Sequence, residues 1–189
     1  MVVNKISDNV YKISNDSNIY YIKDLNIVID AGNRDFYESV KTDLESVCDL
    51  EEIEIVILTH LHYDHIGCFD LFPNAKFYST KRGVEDYKKD KISLILNEEI
   101  ANMFDFELHD VGKLELPERL EVIESPGHSS AGLIVLDKEN KILFSGDTKF
   151  DKGYIGRYDL PTSDKEELKS SLRKIDSLDY EVLCPGHDY

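Results

Sequence analysis

Three histidines and an aspartate crowd into the six residues HLHYDH, 60 to 65, directly after the apolar run Ile55, Val56, Ile57 and Leu58. Imidazole and carboxylate are the nitrogen and oxygen donors that zinc and iron accept. The run before them is short and β-branched, so it reads as a strand buried on both faces, and the turn behind it can aim several donors at one point. His60 and His62 are two apart and share a face in extended backbone, whereas Asp64 and His65 follow the turn and point elsewhere. That spacing suggests two adjoining metal positions.

Three further stretches repeat the design. EVIESPGHSS ends an apolar strand at His128, ILFSGDT ends one at Asp147, and EVLCPGHDY ends one at His187, each beside a glycine that lets the backbone turn tightly. If these strand ends converge, the donors suffice for two divalent ions. His60, His62 and His128 would hold one, Asp64, His65 and His187 the other, with Asp147 bridging. Zinc is the first expectation, with iron or manganese compatible with the same donors. Two such ions sharing Asp147 would also share a water, lower its pKa toward neutrality and provide hydroxide as nucleophile. The site has no evident proton donor, although Asp64 could serve as one, and Asp64 and Asp147 are the candidate catalytic carboxylates.

These donors need a frame. NVYKIS, NIYYIK and NIVIDAG read as a strand meander, and residues 35 to 48 place Phe36, Val40, Leu44 and Val47 at helical spacing. AKFYST is a short strand. Two helical stretches follow, RGVEDYKKD and SLILNEEIANMF, the second with Leu94, Ile95, Ile100 and Met103 on its apolar side. RLEVIES is a strand, AGLIVLDKENKILFSGD a hairpin about KENK, and YEVLC a last strand. Between the last two, Ser163 and Glu166 are spaced as a capping box for a helix with the stripe Leu168, Leu172, Ile175 and Leu178. The chain is α+β, two runs of strands each followed by helices. That order fits two β-rich halves packed face to face with helices outside.

Composition narrows the function. At 189 residues the chain is expected to form one domain spanning 1–189, with a sizeable core. Its 22 Lys and Arg against 38 Asp and Glu give a net charge of −16, which repels phosphate backbones and argues against nucleic acid as a partner. No apolar run approaches a membrane span and the N-terminus lacks the order of a signal peptide, so the expectation is a cytoplasmic protein without a membrane partner. The sequence leaves the oligomeric state open. Cys48, Cys68 and Cys184 are odd in number and far apart, which fits buried packing residues in a reducing compartment better than disulfides or ligands. His109, in FELHDVG, has no comparable setting and reads as surface or core.

The order H-x-H-x-D-H, P-G-H, G-D, P-G-H resembles the metallo-β-lactamase superfamily over essentially the whole chain. The resemblance implies the four-layer αβ/βα sandwich, two mixed β-sheets between outer helices, with a dinuclear site at the sheet edge. Asp30, in VIDAG, matches the superfamily's first motif, whose carboxylate supports the site from behind the ligands. Asp147 stands where the familiar zinc β-lactamases carry cysteine, which argues against antibiotic hydrolysis. The stretch from Ser145 to Ile175, with Arg157 and Asp159 in a G-R-x-D segment, is similar to glyoxalase II-like hydrolases and to persulfide dioxygenases. This resemblance implies hydrolysis of a small thioester or ester, with a lactone hydrolase or a mononuclear-iron dioxygenase as alternatives. Because the chain ends at Tyr189, the C-terminal helical domain that holds glutathione in glyoxalase II is expected to be absent. Arg157 is expected to brace its loop through Asp159. Lys149, Lys152 and Tyr154 are read as solvated loop residues close enough to Asp147 to face a substrate.

Overall fold

The computed structural model describes residues 2–188; Met1 and Tyr189, both inside the expected 1–189 domain, lie outside them. Eleven strands form two mixed sheets. The first sheet runs in chain order: β1 (Val2–Lys5), β2 (Val10–Ser14), β3 (Asn18–Ile22), β4 (Ile27–Ile29), β5 (Ile55–Ile57), β6 (Lys76–Ser79) and β7 (Leu108–Asp110). β1 to β4 pair antiparallel, and β4 to β7 pair parallel. The second sheet has the order β11-β10-β9-β8, made of β8 (Leu120–Glu124), β9 (Leu133–Asp137), β10 (Ile142–Gly146) and β11 (Val182–Pro185).

Period-2 alternation in the strands sorts the core into three layers. Ile19, Tyr21, Val28 and Val56 face α1 (Tyr37–Glu45), α3 (Lys81–Ile95) and α4 (Glu98–Met103), with Val40, Leu44, Leu94 and Ile95 opposite them. Their alternates Tyr20, Ile22, Ile29 and Ile57 meet Leu133, Val135, Ile142 and Phe144 between the sheets. Ile134, Leu136 and Leu143, on the outer face of the second sheet, pack on Ile175 of α5 (Lys165–Asp176). Each such side chain contributes about 1.5–3 kcal/mol by leaving water. The result is the αβ/βα sandwich. Among the described residues no helix is long and apolar enough to cross a membrane.

Several local expectations need correction. The helix read across 93–104 is broken: Leu96 enters the left-handed region at φ 64, and Asn97 caps α4 by accepting from the Ile100 amide. α3 is itself kinked at Asp90, where RGVEDYKKD was expected to end. The cap of α5 is Asp164, not Ser163, and its carboxylate accepts from the amides of Glu166 and Glu167. Ser163 instead donates to the His128 carbonyl at 2.7 Å. Phe36 and Met103, placed on apolar stripes, are exposed. β1 and β7, unpredicted, are the two outer strands of the first sheet.

Sheet direction then explains the site. β10 runs parallel to β11, and β9 runs antiparallel to both β8 and β10, so β8, β10 and β11 all end at one edge. β4 and β5 likewise end together in the first sheet.

Candidate metal centre

Those five strand ends carry Asp30, His60, His128, Asp147 and His187. His62 caps a short helix, α2 (Tyr63–Ile66), that presents Asp64 and His65. All seven expected ligands meet. Three groups of donor atoms each lie within 4.8 Å of one another and could hold an ion: His60, His62 and His128; His60, His65 and Asp147; and Asp64, His65 and His187. His128 Nε2 is 3.0 Å from His62 Nδ1, and His65 Nε2 is 3.2 Å from His187 Nε2. Asp147 reaches across, with Oδ1 at 3.3 Å from His65 Nε2 and Oδ2 at 3.4 Å from His187 Nε2 and 3.5 Å from His128 Nε2.

Four of the five rings are oriented by a contact at the outer nitrogen; the outer Nε2 of His62 is buried without a hydrogen-bond partner among the described residues. His128 Nδ1 donates to the Arg157 carbonyl and His187 Nδ1 to the Asp16 carbonyl, both at 2.8 Å. His65 Nδ1 pairs with Asp30 Oδ2 at 2.9 Å, and His60 Nδ1 lies 3.1 Å from Thr59 Oγ1. Asp30 also accepts from the Thr59 amide and hydroxyl, both at 2.7 Å. Four rings therefore turn Nε2 inward, and His62 turns Nδ1 inward.

The electrostatics divide the cluster in two. Burial lowers His60 well below its usual range, lowers His62 to about 3 and lowers His128, so these rings are neutral with lone pairs available. Burial also acts to lower His65, but the charges of Asp147, Asp64 and Asp30 outweigh it and raise the ring well above its usual range. His187 rises to about 10, because hydrogen bonds to Asp147 and Asp64 overcome its burial. Burial would raise Asp147, yet the surrounding histidines, His65 first, hold it well below the carboxylate range.

The donors fit a metal. His60 Nε2 is buried without a hydrogen-bond partner among the described residues, and Asp147 Oδ1 has the 3.3 Å ion-pair contact with His65 Nε2. Contacts of 3.0–3.5 Å between inward atoms match ligands placed around a cation at about 2.0–2.2 Å.

A cavity of about 470 Å³ opens beside His128 and Asp147, walled by Phe150, Tyr154 and Ile155 with Lys152 and Arg157 at its polar side. Arg157 makes a two-pronged pair with Asp159 at 3.0 Å, as expected of a brace. Lys149 turns away, to Asp176. Phe150 and Ile155 escaped the sequence reading because their loop has no period; the signal lay in apolar residues recurring among charges. Cys68 and Cys184 are buried in apolar clusters, and His109 packs on Tyr78 at 5.5 Å.

A family model of the metallo-beta-lactamase superfamily matches residues 15–187. The chain belongs to that superfamily. Among curated proteins, the chain is similar to "Probable metallo-hydrolase MJ0888" of Methanocaldococcus jannaschii, 27% identical, the match covering 86% of this chain and 82% of that protein. A hydroxyacylglutathione hydrolase of Francisella tularensis subsp. novicida is 29% identical over 73% of this chain and 50% of its own length. Among solved structures, TTHA1623 in a di-iron-bound form aligns with TM-score 0.66 and 21% identity, over 100% of this chain and 93% of that one. MEM-A1, a subclass B3 metallo-beta-lactamase from a soil metagenome library, aligns with TM-score 0.71 and 16% identity over 99% and 80%. At these identities the structural likeness is one of fold. Within the superfamily, this chain carries His and Asp groups able to bind metal.

Proposed function

We propose that the chain is a dinuclear metal-dependent hydrolase that cleaves a small thioester, with His60, His62 and His128 holding one ion, Asp64, His65 and His187 the other, and Asp147 bridging. Zinc is the expected metal. One observation carries the reading: Asp147 touches members of both donor groups and also lines the cavity. The hydroxyacylglutathione hydrolase relative supports the choice of thioester over other acyl compounds.

Divalent ions held there supply Lewis acidity toward a carbonyl and toward water. The chain does the rest. Neutral His60, His62 and His128 provide lone pairs without needing to lose a proton first. Phe150, Tyr154 and Ile155 offer an apolar wall for an acyl group and exclude water beside Asp147. Asp64, whose Oδ2 lies 3.2 Å from His187 Nε2, would accept the proton of the attacking water and pass it to the thiolate released when the C–S bond breaks. A thiolate leaving group, with a reference pKa of about 8.5, departs without a strong acid, whereas an amine does not.

Turnover measured on S-lactoylglutathione, simple thioesters and acyl lactones, alongside metal content of protein purified without added metal, tests the reading. Thioester turnover with two ions per chain is expected. No turnover on any thioester overturns it.

A further inference from the structure

The two donor groups are held by different parts of the molecule. For the group of His60, His62 and His128, the outer contacts come from Thr59 and from the carbonyl of Arg157. The group of Asp64, His65 and His187 leans on the turn between β2 and β3, in the opposite sheet from the strand that delivers His187. The Asp16 carbonyl accepts from His187 Nδ1, and the Ser17 hydroxyl donates to the carbonyl of Asp64. Asn18, 1% exposed, donates from its amide to the Gly186 carbonyl at 2.7 Å and from Nδ2 to the Pro185 carbonyl at 2.9 Å. Tyr20 donates to the same Pro185 carbonyl at 2.7 Å. The turn is itself anchored, since Asn33 Nδ2 donates to Asp16 Oδ2 at 2.8 Å.

These bonds have one geometric consequence. β11 ends at Pro185, and the two residues that follow place His187. With the carbonyls of Pro185 and Gly186 held by Asn18 and Tyr20, and His187 Nδ1 held by the Asp16 carbonyl, both the backbone before the ring and the ring's outer nitrogen are fixed by one segment. Ser17 applies the same restraint to the backbone of Asp64. Supports of this kind commonly change metal affinity by roughly 10–100-fold when removed.

We propose that Asp16 and Ser17 of the β2–β3 turn, with Asn18 at the start of β3, form a positioning device for one cation position, that of Asp64, His65 and His187, and that Asn18 and Ser17 set its occupancy without setting that of the other. Asn18 and Ser17 are positioning residues: they act through His187 and Asp64. The inference rests on the two-ion reading above and goes beyond it, because it predicts that the two positions respond separately to changes in a segment that contains none of the proposed ligands.

The test is metal titration of Asn18→Ala and Ser17→Ala with Zn2+ or with Co2+ as spectroscopic reporter, with circular dichroism to monitor the fold. Wild type is expected to take up two ions. Asn18→Ala should keep one at wild-type affinity and bind the second at least tenfold more weakly; Ser17→Ala should show the same selective effect to a smaller degree. If Asn18→Ala fails to fold, Ser17→Ala decides alone, since it removes one hydroxyl. Two ions at wild-type affinity in a folded variant, or equal weakening of both, overturns the inference. Wild type that takes up fewer than two ions overturns the two-ion reading itself, and the inference with it.

Discussion

Asp30 Oδ2 lies 2.9 Å from Nδ1 of His65, with the two side chains 2% and 0% exposed. Asp30 holds this place in the left-handed region, at φ 62 at the end of β4, from which its carboxylate also takes the amide and hydroxyl of Thr59. One buried carboxylate thus ties the end of β5 to the helix bearing Asp64 and His65. It aligns both donor groups while contacting no position where an ion would sit.

Replacing it should therefore affect stability and metal together. Asp30→Ala leaves the Thr59 amide and His65 Nδ1 buried without an acceptor, at roughly 1–3 kcal/mol each, and strips the Thr59 hydroxyl of its carboxylate partner. Chemical denaturation of the metal-free protein should show a loss of roughly 3 kcal/mol or more. An unchanged midpoint would show that Asp30 is dispensable to the frame.

His128→Ala removes a proposed ligand at the rim of the sandwich and no packing in any of the three apolar layers. The expected variant is folded, binds one ion instead of two, and hydrolyses thioester at least ~1000-fold more slowly, the effect of losing several kcal/mol of Lewis-acid assistance. Metal analysis and steady-state kinetics on the same sample check this.

The convergence of the donor residues was legible in the sequence because each stands in a short motif directly behind an apolar strand, and strand ends in parallel register meet at one edge. The supports were not. Asp16 acts through a backbone carbonyl, which has no side-chain signature, and Tyr20 meets the Pro185 carbonyl 165 residues away. Asp164 and Ser163 are adjacent candidates for one cap, and only the backbone geometry of Asp164 chooses between them. The break at Leu96 uses a left-handed residue that is neither glycine nor asparagine, so nothing in the helical pattern announces it. β7 is three residues long at a sheet edge, too short to display alternation.

Gly186 lets the chain pass close against the centre. A Cβ there would collide with Asp147 Oδ1 and sit 2.8 Å from His65 Cε1. Gly186→Ala should displace one of these two side chains, so that the variant folds but loses metal. Retention of two ions would mean that the segment 185–188 can retreat from the site.

Burial pushes the thiols of Cys48, Cys68 and Cys184 up to about 12. The native state then keeps these protons where the unfolded chain, with ordinary thiols near 9, releases them. The unfolded state binds fewer protons between about pH 9 and 12, so stability is full below pH 9 and falls as pH rises through that window. Thermal midpoints measured from pH 7.5 to 10.5 should be flat at first and then decline. Thiol labelling at pH 8 should be slow in the native protein and rapid in denaturant.

In the proposed two-ion arrangement Asp147 is the pivotal residue, since Oδ1 lies 3.3 Å from His65 Nε2 and Oδ2 lies 3.4 Å from His187 Nε2 and 3.5 Å from His128 Nε2. Asp147→Asn keeps the shape and removes the negative charge. Two dications about 3.5–4 Å apart repel by an amount on the order of 10–20 kcal/mol even at an effective dielectric of 20. The charge of a bridging carboxylate offsets that repulsion most effectively because it lies between the ions, and a neutral amide does not. The amide also turns a donor toward one of the inward nitrogens. The variant should hold at most one ion and lose most of its thioester turnover while unfolding near the wild-type midpoint. Two ions with near wild-type turnover would show that Asp147 does not bridge, and the dinuclear hydrolase reading would have to be replaced by one built on a single ion.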